Sequence, residues 1–408
     1  MKPSSSPNIP AFSLSRQIKQ HRPALLHAMQ AVLDSEAFVG GTFVQTFEKQ
    51  LAAYVGAAHA VSCNSGTDAL WMALFALKIP KNSIVLTTPF SFIASSSEIV
   101  AHEANPVFID VEKDTLNIDP VVLAAWLNKN AQMKDGVATH TATGLPIVGI
   151  LAVDLFGQCA NYPELTALAK TWGLWIVEDM AQSLGASIGD KKAGTFGTIA
   201  ALSFYPTKNL GAFGDAGACV TDDPALAQRL AQVRHHGRKA GYDYEFVGIN
   251  SRMDALQAAT LSVKLPLLDD ANNRRRHVAD LYKAQLAGVP NLTLPRDVMG
   301  KHIYHQYGVL LQGDNATQLR NELEKYLADH GIQTRIFYPQ SLQSIPFLQT
   351  NPALATPCPV ADAAVASILC LPMWPELEDA EVLRVCDTIK TFFAVRHETS
   401  VSRPLHHV

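Results

Sequence analysis

The chain of 408 residues is 48% apolar and 17% charged, the balance of a protein with a large core, which excludes a disordered or purely solvating role. Its net charge of −4 gives no electrostatic basis for binding nucleic acid or an anionic membrane. The length suits two domains, and no run of about eighteen apolar residues predicts a membrane span. The six cysteines, Cys63, Cys159, Cys219, Cys358, Cys370 and Cys386, lack metal-type spacing and read as free thiols of a reducing, cytoplasmic compartment.

In chain order, Met1 to Pro10 reads as a loose Ser/Pro-rich tail without an apolar signal core. Helical spacing follows over Pro23–Leu33 and, after the Gly40-Gly41 break, over Phe43–Val55. Ala60–Ser62 is a short strand. Ser65-Gly66-Thr67-Asp68-Ala69-Leu70 then opens a helix whose apolar residues recur through Leu77, with Pro80 beyond its end. Strands are predicted at Ser83–Thr87, Pro106–Val111, Ile147–Leu155, Leu174–Val177, Ile199–Leu202 and Ala218–Val220. The intervening helices are Ile93–His102, Val121–Leu127 and Pro163–Trp172, and Pro224–Arg234 follows the last strand. Asn128–Leu145 is polar and aperiodic, a surface excursion. A basic loop from Arg234 to Met253 precedes helices at Asp254–Leu268 and Asn272–Leu286. The pattern changes near Val289: strands at His305–Leu311 and Ile332–Phe337, and helices at Ala316–His330, Ala361–Ser367 and Ala380–Phe393, predict a smaller α+β domain. The expected division is a large domain over 11–270, a small one over 271–395, and a polar tail over 396–408.

Near-continuous apolar strands joined by helices predict an α/β fold with a mainly parallel sheet covered on both faces. Ligands of such sheets bind beyond the carboxyl ends of the strands. The Ser65–Thr67 turn, Phe92, Asp179 and Ser203 all fall at or just past strand ends, on one rim. The helix start offers N–H groups and a positive dipole end to a phosphate, although an ordinary capped helix looks the same. Past Ser203, Lys208 stands among small residues, with Gly211, Gly214 and Gly217 close behind. A lysine so placed suits carbonyl chemistry, which needs an amine able to lose its proton; a solvated loop lysine is the plain alternative.

Ser65–Leu70, Val177-Glu178-Asp179 with Ala181-Gln182, Ser203-Phe204 with Lys208, and Gly248-Ile249-Asn250-Ser251-Arg252-Met253 together resemble the DegT/StrS-type sugar aminotransferases, from about Pro23 to Phe393. The resemblance implies fold type I of the pyridoxal-phosphate (PLP) enzymes, with PLP covalently on Lys208 and Lys208 as the proton-shuttling base. It implies Asp179 at the pyridine nitrogen, Gln182 at the ring hydroxyl, Phe92 on the ring face, and Gly66, Thr67 and Ser203 at the phosphate. Asn250 would reach the phosphate of a neighbouring subunit, which implies a homodimer with shared active sites. His236 and Tyr338 would meet the substrate. The implied reaction moves an amino group from L-glutamate to a keto-sugar nucleotide. Carbon 3 is suggested by the phrase Lys208–Gly217, with carbon 4 and a non-catalytic PLP-binding regulator as alternatives. Ala216 departs from the glycine usual in that phrase. A nicotinamide oxidoreductase would need a Gly-x-Gly-x-x-Gly turn after the first strand, which Ser65–Ala69 does not supply. Neither metal nor nucleic acid is expected.

Overall fold

Aspartate or asparagine starts several helices, because its side chain can accept the amide protons that the first turn leaves unpaired. Asp119 caps α5 (Pro120–Asn130) and Asp223 caps α7 (Pro224–Val233), each with proline at the helix start, where its missing N–H costs nothing. Asn161 does the same for α6 (Tyr162–Trp172), and Ser65 for α3 (Gly66–Ala76). The remaining helices of the first 260 or so residues are α1 (Ser15–Ser35), α2 (Gly41–Val55), α4 (Ala94–Ala101) and α8 (Ala255–Lys264). This computed structural model describes residues 7–401.

The strands are β1 (His59–Cys63), β2 (Ile84–Thr87), β3 (Asn105–Phe108), β4 (Ile147–Val153), β5 (Trp175–Asp179), β6 (Ile199–Ser203) and β7 (Gly217–Thr221). They form one seven-stranded sheet in the order β1-β7-β6-β5-β4-β2-β3. β6, β5, β4, β2 and β3 run parallel, whereas β7 is antiparallel to both neighbours, with Ala201 opposite Cys219 and Val61 opposite Cys219 on its other side. Successive strand residues face opposite ways. Thus Val85, Leu151, Val177, Ile199 and Cys219 pack with Leu70, Ala73 and Leu74 of α3. Leu86, Ile150, Ile176, Ala200 and Val220 pack on the other face with Phe47, Leu51, Leu123 and Leu165. Both faces are covered, as the apolar strand text predicts.

After α8, a 3-10 turn at Leu265–Leu267 leads into α9 (Leu268–Leu286), so the predicted helix over Asp254–Leu268 ends at Lys264. A separate antiparallel sheet, β8 (Leu292–Thr293), β9 (Tyr307–Leu311) and β10 (Ile368–Leu371), follows the change of pattern. α9, α10 (Ala316–Asp329) and α12 (Asp379–Val401) bury Val278, Tyr282, Leu323, Leu327, Val385 and Ile389 against it. α11 (Pro359–Ser367) starts close to its expected place.

Four expectations need correction. Ile332–Phe337 is not a strand: Ile332 bridges to Ile9 and Arg335 to Cys370, while the strand of this sheet is β10, too short to stand out in the sequence. Asn128–Leu145 contains an ordered hairpin, Ala131–Lys134 against Val137–His140, in which the first strand is mostly exposed and Ala138–His140 are buried. The C-terminal tail is helical through Val401, where helical hydrogen bonds outlast the apolar period. The N-terminal tail is held from residue 7: Ile9 is 1% exposed and exchanges hydrogen bonds with Gly331 and Gln333. Residues 1–6 and 402–408, the rest of those two tails, lie outside the described residues. Among the described residues no helix is long and apolar enough to cross a membrane.

Ile9→Ala removes a fully buried side chain and should cost about 2–4 kcal/mol of stability. Urea unfolding followed by far-UV circular dichroism would show a midpoint well below that of the unaltered protein.

Candidate active site

β5, β6 and the start of α3 bring the site together at the carboxyl edge of the sheet. Asp179 ends β5, Ser203 ends β6, and Lys208 lies in the segment that returns the chain into β7. Two glycines allow this approach. A Cβ on Gly66 would lie 2.5 Å from Ser203 Cβ, and one on Gly217 would lie 2.2 Å from the Ser65 carbonyl oxygen. The first turn of α3 is therefore seated directly on the ends of β6 and β7. Ser65 Oγ accepts from Asp68 N at 3.0 Å. The N–H groups of Gly66 and Thr67 belong to the turn that has no intrahelical acceptor.

Lys208 and Asp179 feel each other's charge. Burial pulls the Lys208 amine down to about 8, with Asp179 opposing the fall. Burial likewise pushes the Asp179 carboxyl up, opposed by a hydrogen bond from Ser95 Oγ to Oδ2 (2.6 Å), the Lys208 charge and the Ala181 N–H. The pair is thus an amine poised to lose its proton near neutrality and a carboxyl whose rise is opposed by its partners.

Gln182 reaches the same place. Its Oε1 accepts from Phe156 N at 2.9 Å and its Nε2 donates to Tyr338 Oη at 3.1 Å, which brings Tyr338 of the C-terminal half against the large sheet. The Tyr338 ring meets Phe90 edge-on. Phe92, before α4, is 55% exposed, so it is no core residue. Asn250 is exposed and bridges to His235, and His236 is exposed with a left-handed backbone. Among the described residues no hydrogen bond joins either of these two to Lys208.

The sequence reading missed Ser95, which is one of several serines in α4 and has no distinguishing context. It also missed the supports of the Lys208 segment. Lys264 Nζ donates to the Gly211 carbonyl at 2.5 Å, and Asn209 is tied to Asn272 and His305. Beneath the rim lie two further buried carboxylates. Asp154 accepts from Ala160 N, Tyr162 Oη and Ser183 Oγ, and its backbone N–H donates to the Asp179 carbonyl. Glu178 accepts from the backbone N–H groups of Gly194, Phe196 and Gly197. Burial pushes Asp154 up to about 7 and Glu178 up to about 8, and the charge of Asp154 adds to the rise of Glu178. Two of the partners of Asp154 are hydroxyls, which can turn to accept, whereas backbone N–H groups cannot. The surroundings of Asp154 thus accommodate a proton more readily than those of Glu178.

The sequence matches the DegT/DnrJ/EryC1/StrS aminotransferase family over residues 19–390. The chain belongs to that family. Its members are PLP-dependent aminotransferases. A dTDP-3-amino-3,4,6-trideoxy-alpha-D-glucose transaminase of Streptomyces venezuelae is 35% identical, over 94% of this chain and 96% of its own. A UDP-N-acetyl-3-dehydro-alpha-D-glucosamine 3-aminotransferase of Acidithiobacillus ferrooxidans is 34% identical, over 94% of this chain and 97% of its own. A "pleiotropic regulatory protein" of Geobacillus stearothermophilus is 36% identical, over 95% of this chain and 99% of its own. The crystal structure of S. venezuelae DesV superposes with a TM-score of 0.86 at 34% identity, covering 95% of this chain and 99% of that one. Thus the aminotransferase has the fold expected from its sequence, a mixed α/β architecture built on a large, mainly parallel sheet.

The buried carboxylates give this aminotransferase a signature in its stability. A carboxyl whose folded pKa is raised contributes stability that is complete below its unfolded value near 4 and is lost as pH rises through the folded value. The thermal midpoint should therefore decline between about pH 5 and 8. Asp154→Asn keeps an oxygen for Ala160 and Tyr162 and offers an amide to Ser183. Scanning calorimetry of that variant should show a flatter decline.

Proposed function

We propose that this aminotransferase moves an amino group from L-glutamate to carbon 3 of a keto-sugar nucleotide, using PLP covalently held by Lys208. The single observation carrying this reading is the meeting of a half-buried, easily deprotonated Lys208 with a buried Asp179 beside a helix start seated tightly on Ser203. The residues present fit PLP. Lys208 supplies the amine, and Asp179 the anion for a ring nitrogen. The Gly66 and Thr67 N–H groups with the Thr67 and Ser203 hydroxyls supply donors for a phosphate. Gln182 supplies a donor for the ring hydroxyl once its Nε2 shares Tyr338, and Phe92 an exposed apolar face. Asn250, exposed, suits the site of a second copy in a homodimer.

Bound PLP supplies an electron sink that makes a hydrogen beside the amino-bearing carbon acidic. The protein's part is to hold and move that proton. Lys208, with its amine near neutrality, takes the proton as a base and returns it as an acid. Ser95 and Ala181 donate to Asp179 and so favour its ionised form, whose charge in turn favours a protonated ring nitrogen. Tyr338, bonded to Gln182, and His236 of the basic loop are proposed to contact the substrate.

Support for carbon 3 comes from relatives named for 3-amino or 3-oxo sugars linked to either dTDP or UDP, among them an aminotransferase of Pseudomonas aeruginosa named for a UDP-linked 3-oxo-glucuronate. A role in surface polysaccharide, including lipopolysaccharide O-antigen, agrees with a Bacillus subtilis relative named for spore coat polysaccharide biosynthesis. We place the reaction in the cytoplasm, where nucleotide sugars and reduced thiols are found.

The purified protein supplied with PLP should show a visible absorption band that L-glutamate removes, and a panel of 3-keto and 4-keto sugar nucleotides should restore it selectively. A band that glutamate leaves untouched would instead mark a non-catalytic regulator. Lys208→Ala should abolish turnover while the circular dichroism spectrum is unchanged. Ser95→Ala removes a donor that holds the Asp179 pKa down, so the acid limb of the kcat/KM profile should move to higher pH.

A further inference from the structure

We infer that His305 is a positioning residue for Lys208, acting through the side chain of Asn209. The part played by Lys208 rests on the function proposed above, whereas the contacts that lead from His305 to its neighbour are those of the chain itself. Asn272 Nδ2 donates to the Leu184 carbonyl at 3.1 Å. Asn272 Oδ1 then faces Asn209 Nδ2 at 2.7 Å, and Asn209 Oδ1 faces His305 Nδ1 at 2.9 Å. A backbone carbonyl can only accept, so the chain of bonds runs in one direction. It orients both amides and puts the ring proton of His305 on Nδ1. His305, Asn209 and Asn272 are 5%, 9% and 0% exposed, so water does not substitute freely for any link.

The imidazole is itself fixed at its backbone. His305 N donates to the Phe156 carbonyl at 2.7 Å, and Arg275 Nη1 reaches the His305 carbonyl at 3.4 Å. Phe156 in turn donates its N–H to Gln182, so one short path joins His305 to two sides of the site. Asn209 directly follows Lys208 in sequence. Turning its amide would break two buried hydrogen bonds, and shifting its backbone would carry Lys208 with it. The charged groups that face the imidazole are Lys208 and Arg275, both cationic, and with burial they keep it neutral. A neutral ring in the Nδ1–H form leaves Nε2 as an acceptor. The residue thus braces Lys208 without adding a positive charge that would compete with it for Asp179.

Two measurements test this. Nitrogen-15 spectra of the fourteen histidines, with His305 assigned by difference against His305→Asn, should show a ring protonated on Nδ1 that stays neutral where an ordinary histidine takes up its second proton. An Nε2–H ring would overturn the inference, and this result is decided on the unsubstituted protein whether or not other variants fold. The second measurement is the pH midpoint of the visible band of the PLP-loaded protein. His305→Leu leaves the Asn209 oxygen unpaired and should move that midpoint by about one pH unit and lower kcat about tenfold, with KM for glutamate little changed. His305→Asn can place an amide N–H near the position of Nδ1 and should recover most of both. A folded His305→Leu protein with the original midpoint and kcat, or an Asn variant no better than Leu, would show that the network only supports the core. Absence of any visible band in the unsubstituted protein would count against the proposed function, not against the bracing network, which the spectra read separately.

Discussion

Lys208 and Asp179 oppose each other across the rim of the sheet, and most of the local structure exists to keep them there. A buried amine tends to lose its charge and a buried carboxyl to gain a proton, so the two would drift toward neutrality if left alone. Each is checked by the other and, for Asp179, by Ser95 and Ala181. The result is a pair held close to its switching point, which a proton-transferring lysine needs and a salt bridge built for stability does not.

The rim is tight in a way that only small residues permit. Gly66 and Gly217 let α3 sit on the ends of β6 and β7, where any side chain would strike backbone or Ser203. The same tightness explains why the supports are polar. Asn209, Asn272, Lys264 and His305 each satisfy a buried group whose partner lies in a different part of the chain. Such a network is costly to break at any link and so defines a single arrangement of the loop it serves.

Much of this was legible before the coordinates. The alternation of apolar strands and helices gave the large sheet, and the positions of Ser65, Asp179, Ser203 and Lys208 relative to strand ends gave the rim. The missing parts share a physical reason. β10 is only Ile368–Leu371, and the Ala131–His140 hairpin carries too little periodic apolar text to announce a pair of strands. Ser95, His305 and Asn272 act through contacts with residues far away in sequence, and a lone polar residue in a helix or strand carries no sign of what it will meet. Ile9 was hidden by its Ser/Pro-rich surroundings, because a single apolar residue can be buried without any pattern around it. Phe92, at a strand end where a phenylalanine commonly packs into the core, stands 55% exposed instead.

The reversed direction of β7 also bears on how the chain is made. β1 touches the sheet only through β7, with His59 opposite Thr221. During synthesis the early strand has no neighbour until the far later one has left the ribosome. Contacts so distant along the chain close slowly. Until then the strand edge stands uncovered, a window in which a chaperone would have the most to protect.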